Sequence, residues 1–508
     1  MTSNSHYEVV VVGSGPVGSL LAAELGRWGV RVAVIEAAPA TTLVPKAGTI
    51  HARSIQLLTR RGYFSAPNVG FGPQSTVFHY AGQPGLEISV PGGEGPAIVG
   101  IGQGQLESSW SALLPHLGVE VVRPATVTGV FDSGDGVEIR YRRAGVEESV
   151  SADWVVGADG ARSVVRTSAG FPVTEVPPTA AALLGLARLG NPAQVVDGWV
   201  RTPRGWTVIN RSPVGRSRVI TFDMSGPERD HRRPLTPAEL QQSVEHIVGH
   251  YVPMHGVTHL SRFSDFSRLV DSYRHGRALV IGDAAHVHFP LGGQGLNLGI
   301  ADAVQLGWRL GLITRLGAPA ALLDAFSAER RPAAARVIAN VADQADRMRS
   351  GPEGDALRAE IIDLFGDPAR SRALGNEISA QVDGVPMPIE TPAVGSLLTN
   401  RQLTTTLGVT TVIELLAQRA EAVLLVAASR EDELRAELGP WHDRVDIVPV
   451  LYPTLEYDVL LRPDGFIAWS SAELSARLRE RLTEVFGAAQ ELRTSLSAAP
   501  VSLPAHRQ

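Results

Sequence analysis

Cysteine is absent from this chain of 508 residues. Its absence excludes disulfide bonds, thiolate nucleophiles, cysteine-ligated zinc and iron–sulfur clusters. Dithiol exchange is excluded for the same reason. Any redox chemistry must therefore come from a bound cofactor.

Signals for membranes, export and nucleic acid are also lacking. Residues 1–8 are polar and lead directly into a predicted strand, without the basic and apolar stretches of a signal peptide. No uninterrupted apolar run is long enough to span a bilayer. The net charge is −6, and arginine and acidic residues are interspersed, so no basic patch is visible. We expect a cytoplasmic protein that binds neither membrane nor nucleic acid and has no metal site.

The length and composition are those of a soluble multidomain protein. A chain of 508 residues is too long for one hydrophobic core, so two or three domains are expected. Hydrophobic residues make up 44% of the chain and charged residues 19%, which is typical of globular proteins.

The first motif is a glycine-rich turn between two predicted strands. A valine-rich strand precedes three glycines with G-x-G-x-x-G spacing, and a helical pattern and a second strand ending at an acid follow. In such a βαβ unit the glycines allow a tight turn, close approach of backbone to a pyrophosphate and helix–strand packing, while the acid lies near the adenosine ribose. The alternative is a purely structural turn. The pattern predicts a dinucleotide site at Gly13, Gly15, Gly18 and Glu36.

Two later strands also end at acids. The apolar runs 154–157 and 278–281 are followed by Asp159-Gly160 and by Gly282-Asp283. Carboxylates at the carboxyl ends of parallel strands lie in the crevice where open α/β sheets bind ligands. Beyond Pro290, glycines at 292, 293 and 295 precede a helix whose first amides attract negative charge. These stretches predict a ligand site, the alternative being an ordinary strand–loop–helix.

A loop that becomes a helix offers further candidates. Lys46, His51 and Arg53 lie there and either face a cofactor or line a pocket. The alternative for Arg53 is an ordinary salt-bridging group. His286 and His288 flank the third motif, and each is at least as easily explained by a structural role.

The remaining chain divides by its periodicity. Short strands and turns between 173 and 272 predict a mostly antiparallel module inserted between two parts of a nucleotide-binding sheet. Helices follow to about residue 381, with a break expected at 329–332, and a proline-rich connector occupies 385–392. Strands and a helix in the tail follow the order of a thioredoxin-like unit. The expected domains are 1–172 and 273–392 for the nucleotide-binding part, 173–272 for substrate and 393–508 for the tail.

In this order, the three motifs resemble the single-component (class A) FAD-dependent aromatic hydroxylases typified by para-hydroxybenzoate hydroxylase. The tail, with the stretch 462–469, resembles the branch that modifies aromatic polyketides in secondary metabolism and antibiotic biosynthesis. The resemblance covers almost the whole chain. It implies an α/β fold with a Rossmann-like (GR2-type) FAD-binding domain, an inserted antiparallel substrate domain and a thioredoxin-like C-terminal domain.

The resemblance also implies roles for residues. Arg53, Pro290 and Gly293 are the expected catalytic residues, with Pro290 and the glycines excluding water from the reacting ring. The expected FAD-binding residues are Gly13, Gly15, Pro16, Gly18, Glu36, Arg53, Gln103, Asp159, Gly160, Asp283, Pro290, Gly293, Gly295, Leu296 and Asn297.

The implied reaction is oxygen insertion from O2 into a phenol-type polyketide, with NADPH or NADH as a transient co-substrate and a flavin C4a-hydroperoxide as the oxygen donor. Baeyer–Villiger oxidation of a ketone and a non-catalytic flavin-fold binding protein remain alternatives. A monomer or homodimer is expected. A substrate pocket is predicted at Trp199, Trp206, Phe222, Met224 and Phe289, although aromatics at such spacing are more often plain core.

Overall fold

A computed structural model describes residues 6–41, 48–64, 73–90, 94–212, 215–224, 233–382, 384, 394–451, 457–471 and 476–488. Lys46 and the predicted connector 385–392 lie outside these residues.

The molecule is organised around an eight-stranded sheet. Its parallel part runs in the order Ala278–Val280, Val146–Gly157, His6–Val12, Val32–Ile35 and Glu120–Val122. Arg274–His275 adds an antiparallel edge, and the hairpin Thr126–Asp132 and Val137–Arg143 pairs with the first half of the long second strand. The valines of the central strand are fully buried, which explains why its sequence is a continuous apolar run instead of an alternating one.

The register of these strands brings the predicted motifs together. Val12 lies opposite both Ile35 and Gly157, and Gly157 lies opposite Val280. Because these parallel strands end at the same level, the residues that follow them meet at one edge of the sheet.

Helices cover the sheet. Pro16–Arg27 packs against Gln103–Leu113 and against the long helix Gln294–Leu316. The last contact is close, since a Cβ at Gly311 would lie 2.4 Å from the indole of Trp28. The shorter helices in this part of the chain are Ala52–Arg60 and Val164–Ser168.

The inserted module is a five-stranded antiparallel sheet in the order Gly198–Thr202, Gly205–Asn210, Ser217–Asp223, Ala181–Leu189 and Met254–Ser264. The helix Pro237–Val248 covers one face, where Ser243 donates to Thr221. Because side chains alternate along a strand, Arg218, Ile220 and Phe222 project from the opposite face. Small sheets connect the module to the rest. One consists of Val173–Val176, Ser267–Val270 and His286–Val287, and a second of Thr49–His51, Ile98–Gly100 and Gln74–Ser75. A further pair of strands is Val77–Tyr80 and Gln83–Glu87.

The break expected at 329–332 is wrong, because one helix, Ala321–Met348, continues through Pro332. Pro332 itself is exposed, whereas Ala333 and Ala334 are buried and Arg330 is bonded to Asp302 at 2.8 Å. Tertiary packing on both sides of the proline therefore outweighs its unfavourable helix propensity. The helices Pro352–Gly366 and Pro368–Ile378 follow.

The tail forms a separate six-stranded sheet with the order Gly408–Thr411, Gln402–Thr405, Val445–Val450, Ala422–Ala427, Asp458–Leu461 and Ile467–Ser471. Its helices are Val412–Ala417, Glu431–Glu437 and Ala476–Phe486. The predicted thioredoxin-like arrangement of strands and the final helix is confirmed in outline. The exact domain boundaries stay a prediction. Within the described ranges, no helix combines the length and the apolar character needed to cross a membrane.

Candidate active site

A cavity of about 930 Å³ lies between the carboxyl edge of the central sheet and the face of the five-stranded sheet that is opposite the helix Pro237–Val248. This volume is near the upper end of the ~300–1,000 Å³ usual for ligand pockets. Most of the predicted residues line it: Gly13, Gly15, Pro16, Glu36, Gln103, Asp159, Gly160, Asp283, Pro290, Gly293, Gly295, Leu296, Trp199 and Phe222.

The first glycine turn is shaped by close backbone contacts. Gly13 has φ +97°, and a Cβ there would lie 2.5 Å from the Ala158 carbonyl oxygen. At Gly18 a Cβ would lie 2.0 Å from the Gly13 carbonyl oxygen, so Gly18 packs inside the turn instead of lining the cavity. A Cβ at Gly15 meets nothing within 4 Å. The open side of the turn therefore faces the cavity at Gly15.

Glu36 is held beside this turn. The Ser14 amide donates to its Oε2 at 2.6 Å, and the Ala38 amide donates to its Oε1 at 2.6 Å. Both bonds come from backbone, so the carboxylate has a fixed orientation on the cavity wall.

Asp159 uses one carboxylate oxygen to cap a helix. Its Oδ2 accepts from the amides of Val164 at 2.7 Å and Val165 at 3.2 Å. Its Oδ1 is buried without a hydrogen-bond partner in the described chain, and burial raises the pKa of this carboxyl above its usual value. At neighbouring Gly160 a Cβ would meet nothing within 4 Å. This part of the wall therefore leaves empty space for a ligand at Gly160 and an unpartnered carboxylate oxygen just beneath the surface.

Asp283 is exposed on the cavity wall, in a turn anchored by a different carboxylate. Asp302 is fully buried and accepts from the Gly282 amide at 3.1 Å, from His286 Nε2 at 2.8 Å and from Arg330 at 2.8 Å. Burial alone would raise the pKa of Asp302, but Arg330 and His286 outweigh burial and hold it below its usual value. His286 is thus part of the support for the turn.

The glycine-rich loop leads into the helix Gln294–Leu316. Gly292 and Gly293 have φ of 68° and 63°, so both adopt the left-handed conformation that favours glycine. The first amides of the helix, including those of Gly295 and Leu296, have no acceptor within the helix. These free N–H groups and the helix dipole make the space in front of them favourable for negative charge.

Asn297 secures the start of this helix from behind. Its side chain accepts from the His51 amide at 2.8 Å and donates to the carbonyls of Thr49 at 3.1 Å and Gly293 at 2.8 Å. Asn297 does not line the cavity itself. Its side chain positions the wall formed by Thr49 and Gly293.

Arg53 is not brought to the cavity, in contrast to the sequence-based expectation. Its guanidinium donates to the carbonyls of Ala380 at 3.2 Å and Gln381 at 2.9 Å, and to the Gln56 side chain at 3.1 Å. The helical segment that ends near residue 380 supplies these acceptors, and the guanidinium is turned toward them. Arg53 therefore stabilises the packing of two helical segments.

The five-stranded sheet provides the aromatic half of the cavity. Trp199 stacks on Phe222 with ring centroids 5.4 Å apart, and Val208 and Ile220 extend this wall. Trp206, Met224 and Phe289 are buried behind it; the Trp206 indole donates to the Met348 carbonyl at 2.8 Å, and Phe289 packs edge-on against Phe222.

Sequence reasoning missed several residues of this half. Asn210 and Arg218 are cross-strand neighbours on the cavity face, so the wall changes from aromatic to polar along the sheet. The two-residue alternation of these strands was the signal that could have found them. Phe78, His79 and Phe263 also line the cavity, and no motif marked them. His288, which lies beside the third motif, lines it too.

Three histidines, the buried His51 and the half-buried His79 and His288, lie around the aromatic half. Burial lowers the pKa of His51 and of His79 to about 4, and it also lowers the pKa of His288. His51 Nε2 is bonded to the Gly292 carbonyl at 2.9 Å, and His288 Nδ1 to the Phe289 carbonyl at 2.8 Å. All three imidazoles are neutral at physiological pH.

Comparison with known families matches two regions of the sequence. Residues 6–341 match the family described as FAD binding domain, and residues 391–489 match the family described as aromatic-ring hydroxylase, C-terminal. The first match contains all the motifs that line the cavity.

Individual relatives match nearly the full length. The chain is 34% identical over 490 residues to 12-dehydrotetracycline 5-monooxygenase/anhydrotetracycline 6-monooxygenase of Streptomyces rimosus, with 92% of this chain and 95% of that protein covered. It is 35% identical over 476 residues to dialkyldecalin synthase of Streptomyces rugosporus, with 92% and 96% covered. The solved structure of OxyS anhydrotetracycline hydroxylase from Streptomyces rimosus superposes with a TM-score of 0.87 at 32% identity, covering 96% of this chain and 100% of that one.

Proposed function

The chain belongs to the FAD-dependent aromatic-ring hydroxylases, and from this membership we propose that it hydroxylates a polycyclic aromatic polyketide. It is a flavin-dependent monooxygenase with FAD as cofactor and with NADPH or NADH and O2 as co-substrates. The observation that carries the substrate proposal is the cavity itself, in which the nucleotide-binding motifs and a flat aromatic wall enclose one continuous space.

The residues of the cavity fit FAD. The open side of the turn at Gly15, the empty space at Gly160 and the unpartnered Asp159 Oδ1 are features that a ligand would complete. We propose that the turn at Gly13 and Gly15 holds the pyrophosphate, with Pro16 and Gln103 beside it, and that Glu36 holds the adenosine ribose. Asp283 would bind the ribityl region, and the amides of Gly295 and Leu296 would meet the pyrimidine edge of the ring.

The other half of the cavity fits a flat, fused-ring substrate. Trp199, which is half-buried and stacks on the buried Phe222, provides an aromatic surface, whereas Asn210 and Arg218 provide hydrogen-bond donors at the far end of the same wall. Such a surface suits a molecule with an apolar ring system and oxygen substituents at its edge. The relative from Streptomyces rimosus is named for tetracycline-type polyketides, which have this character.

When bound and reduced, FAD supplies the transfer of one atom of O2 to an electron-rich ring carbon. The protein's own contribution is to exclude water and to orient the ring. Pro290, Gly292 and Gly293 form one wall, while Phe78, Ile220 and Phe263 add apolar surface to the lining. The amides at the start of Gln294–Leu316 stabilise negative charge at the wall they face.

A second function is favoured by one comparison. The relative from Streptomyces rugosporus is named for a ring-forming synthase and not for a monooxygenase, although it is 35% identical. The same cavity could therefore hold a hydrophobic substrate for a reaction that consumes neither NADPH nor O2.

One experiment separates these functions. Purified yellow protein is mixed anaerobically with NADPH, with and without anhydrotetracycline as the probe, and the loss of flavin absorbance is followed. Isotopically labelled O2 is then admitted, and the product is characterised by mass spectrometry and NMR. A monooxygenase bleaches and yields a product with one labelled oxygen, and NMR distinguishes ring hydroxylation from insertion beside a ketone. Protein that retains flavin but is not bleached by NADPH would contradict the proposal.

A further inference from the structure

His79 lies on the substrate side of the cavity, between two aromatic rings. It belongs to the strand Val77–Tyr80, where its ring stacks on Phe78 at a centroid distance of 4.2 Å. The Trp199 indole lies 4.9 Å away at an interplanar angle of 51°. These contacts hold the imidazole as part of the wall that faces a flat ligand.

The hydrogen bonding of His79 indicates which nitrogen carries the proton. Nδ1 is buried and has no hydrogen-bond partner among the described residues. Nδ1 lacks a partner in either tautomer, but a buried N–H group without an acceptor is rarer in proteins than a buried acceptor without a donor. With the proton on Nε2, the N–H group is the one that can bond to a ligand or to water. His79 is half-buried and lines the cavity, and only Nδ1 of its two ring nitrogens is buried without a partner, which leaves Nε2 as the nitrogen on the cavity side. The favoured tautomer therefore carries its proton on Nε2.

The ring is also neutral. Burial lowers the pKa of His79 to about 4, and the neighbouring His51 lowers it in the same direction. A base of this pKa is poorly matched to removing a proton from a phenol near neutral pH. A neutral imidazole with its N–H directed into an apolar pocket is instead a hydrogen-bond donor.

We infer that His79 is a specificity-determining residue, whose Nε2–H donates a hydrogen bond to a carbonyl or phenolate oxygen of the aromatic substrate. This inference rests on the proposed function, because it assumes that the cavity binds an oxygenated aromatic ring. The Nε2–H donor of His79 selects quinone-like and phenolic rings over hydrocarbons of the same shape, because a ring without the oxygen leaves this donor unsatisfied. His79 thereby adds a second recognition element, separate from Asn210 and Arg218 on the five-stranded sheet.

The test compares two ligands on the FAD-loaded enzyme without NADPH. Anthraquinone-2-sulfonate and anthracene-2-sulfonate share a tricyclic ring and a charge but differ in the two carbonyl oxygens. Their dissociation constants are measured by quenching of protein fluorescence for the wild type, His79→Phe and His79→Gln. His79→Phe keeps a ring against Phe78 and Trp199 but removes the donor, whereas His79→Gln restores an N–H group.

We expect the wild type to prefer the anthraquinone. The preference should fall about two- to tenfold in His79→Phe, because this variant loses one neutral hydrogen bond, and it should return in His79→Gln. It should stay constant between pH 6 and pH 9, since His79 remains uncharged there. Flavin absorbance and the melting temperature show that the variants are folded.

The outcomes separate this inference from the proposed function. Equal affinity of the wild type for both ligands, or an unchanged preference in His79→Phe, would overturn the role of His79 alone. A preference that disappears as the pH rises through neutrality would also overturn it, because the donor would then be a cation. Binding of neither ligand by the wild type would count against the aromatic substrate site itself.

Discussion

Gly15 shows at the scale of one residue how a protein reserves space for a ligand. The Cβ that alanine would add meets no protein atom within 4 Å, and the backbone has an extended conformation that alanine adopts freely. Gly15 nevertheless lines the cavity at the start of a helix. The glycine is therefore needed by the occupant of the cavity and not by the fold.

Gly15→Ala should consequently reduce FAD binding without changing the stability of the FAD-free protein. We expect the dissociation constant for FAD to rise at least tenfold, or about 1.4 kcal/mol, measured by titrating FAD-free protein and following flavin fluorescence. Gly366→Ala is the matched control, because a Cβ there also meets nothing within 4 Å but lies at the end of a helix away from the cavity. Equal FAD affinity in both variants would contradict this assignment.

Asp302, in contrast to Gly15, is needed for the stability of the fold. Asp302→Asn leaves Arg330 buried without its anionic partner and weakens the bonds to Gly282 and His286. Removing one member of a buried pair costs about 3–5 kcal/mol, so the variant should unfold at lower urea concentration. The exposed Asp135→Asn serves as the control. A stability equal to that of the control would show that the network contributes nothing.

The difference in stability between wild type and Asp302→Asn depends on pH, because the pKa of Asp302 in the folded protein lies below the ordinary value of 3.8. A carboxylate with a depressed pKa stabilises the folded state above the pKa it has when unfolded, and that stabilisation disappears as the pH falls through its folded pKa. The difference in unfolding free energy between wild type and Asp302→Asn should narrow below about pH 3.8. Urea unfolding of both proteins at several pH values measures this difference.

Residues of the glycine–acid motifs were predictable from sequence because local spacing alone fixes their chemistry. The structural role of the Asn297 side chain was not predictable, because its partner Thr49 lies far away in sequence. His79 and Asp302 carry no local pattern at all. Their surroundings are created by tertiary contacts, which no short window of sequence contains.

At the scale of elements, Pro332 shows how packing overrides a local preference. The proline has no amide hydrogen to give to the preceding turn, yet it lies within the continuous helix Ala321–Met348. Strands were easier to predict, because valine-rich runs marked the buried parallel strands and alternation marked the antiparallel ones.

Pro332→Ala should therefore stabilise the protein. The variant restores one intrahelical hydrogen bond and removes a ring clash at an exposed position, which together are worth up to about 3 kcal/mol. Differential scanning calorimetry should show a higher melting temperature with unchanged FAD content. A lower melting temperature would mean that the proline is needed for the shape of the helix.

At the scale of the whole molecule, a buried charge network joins the tail to the nucleotide-binding part. Glu329 accepts from Arg309 at 2.6 Å and from Arg462 of the tail at 3.1 Å, and Arg462 also pairs with Asp464. Trp308 donates to Asp464 at 3.2 Å. Burial would raise the pKa of Glu329, but the two arginines hold it below its usual value. The carboxylate therefore stays ionised between the two parts.

Glu329→Gln should loosen this connection. Two buried guanidinium groups lose a shared anion, and we expect a loss of about 3 kcal/mol. In calorimetry the variant should show an earlier transition for the tail, separated from that of the nucleotide-binding part, whereas the exposed Glu480→Gln should behave as wild type. A single unshifted transition in Glu329→Gln would show that other contacts hold the tail in place.

The cavity draws its walls from turns near residues 13, 159 and 283 and from a helix that ends at Leu316. A ribosome adds about 5–20 residues per second, and the nascent chain folds from its N-terminus. No coenzyme pocket exists until the long helix has emerged, although the first glycine turn is made at the very beginning. Binding of the yellow coenzyme is therefore a late event in synthesis. A truncated nascent chain that lacks this helix has no complete site in which to bind the coenzyme.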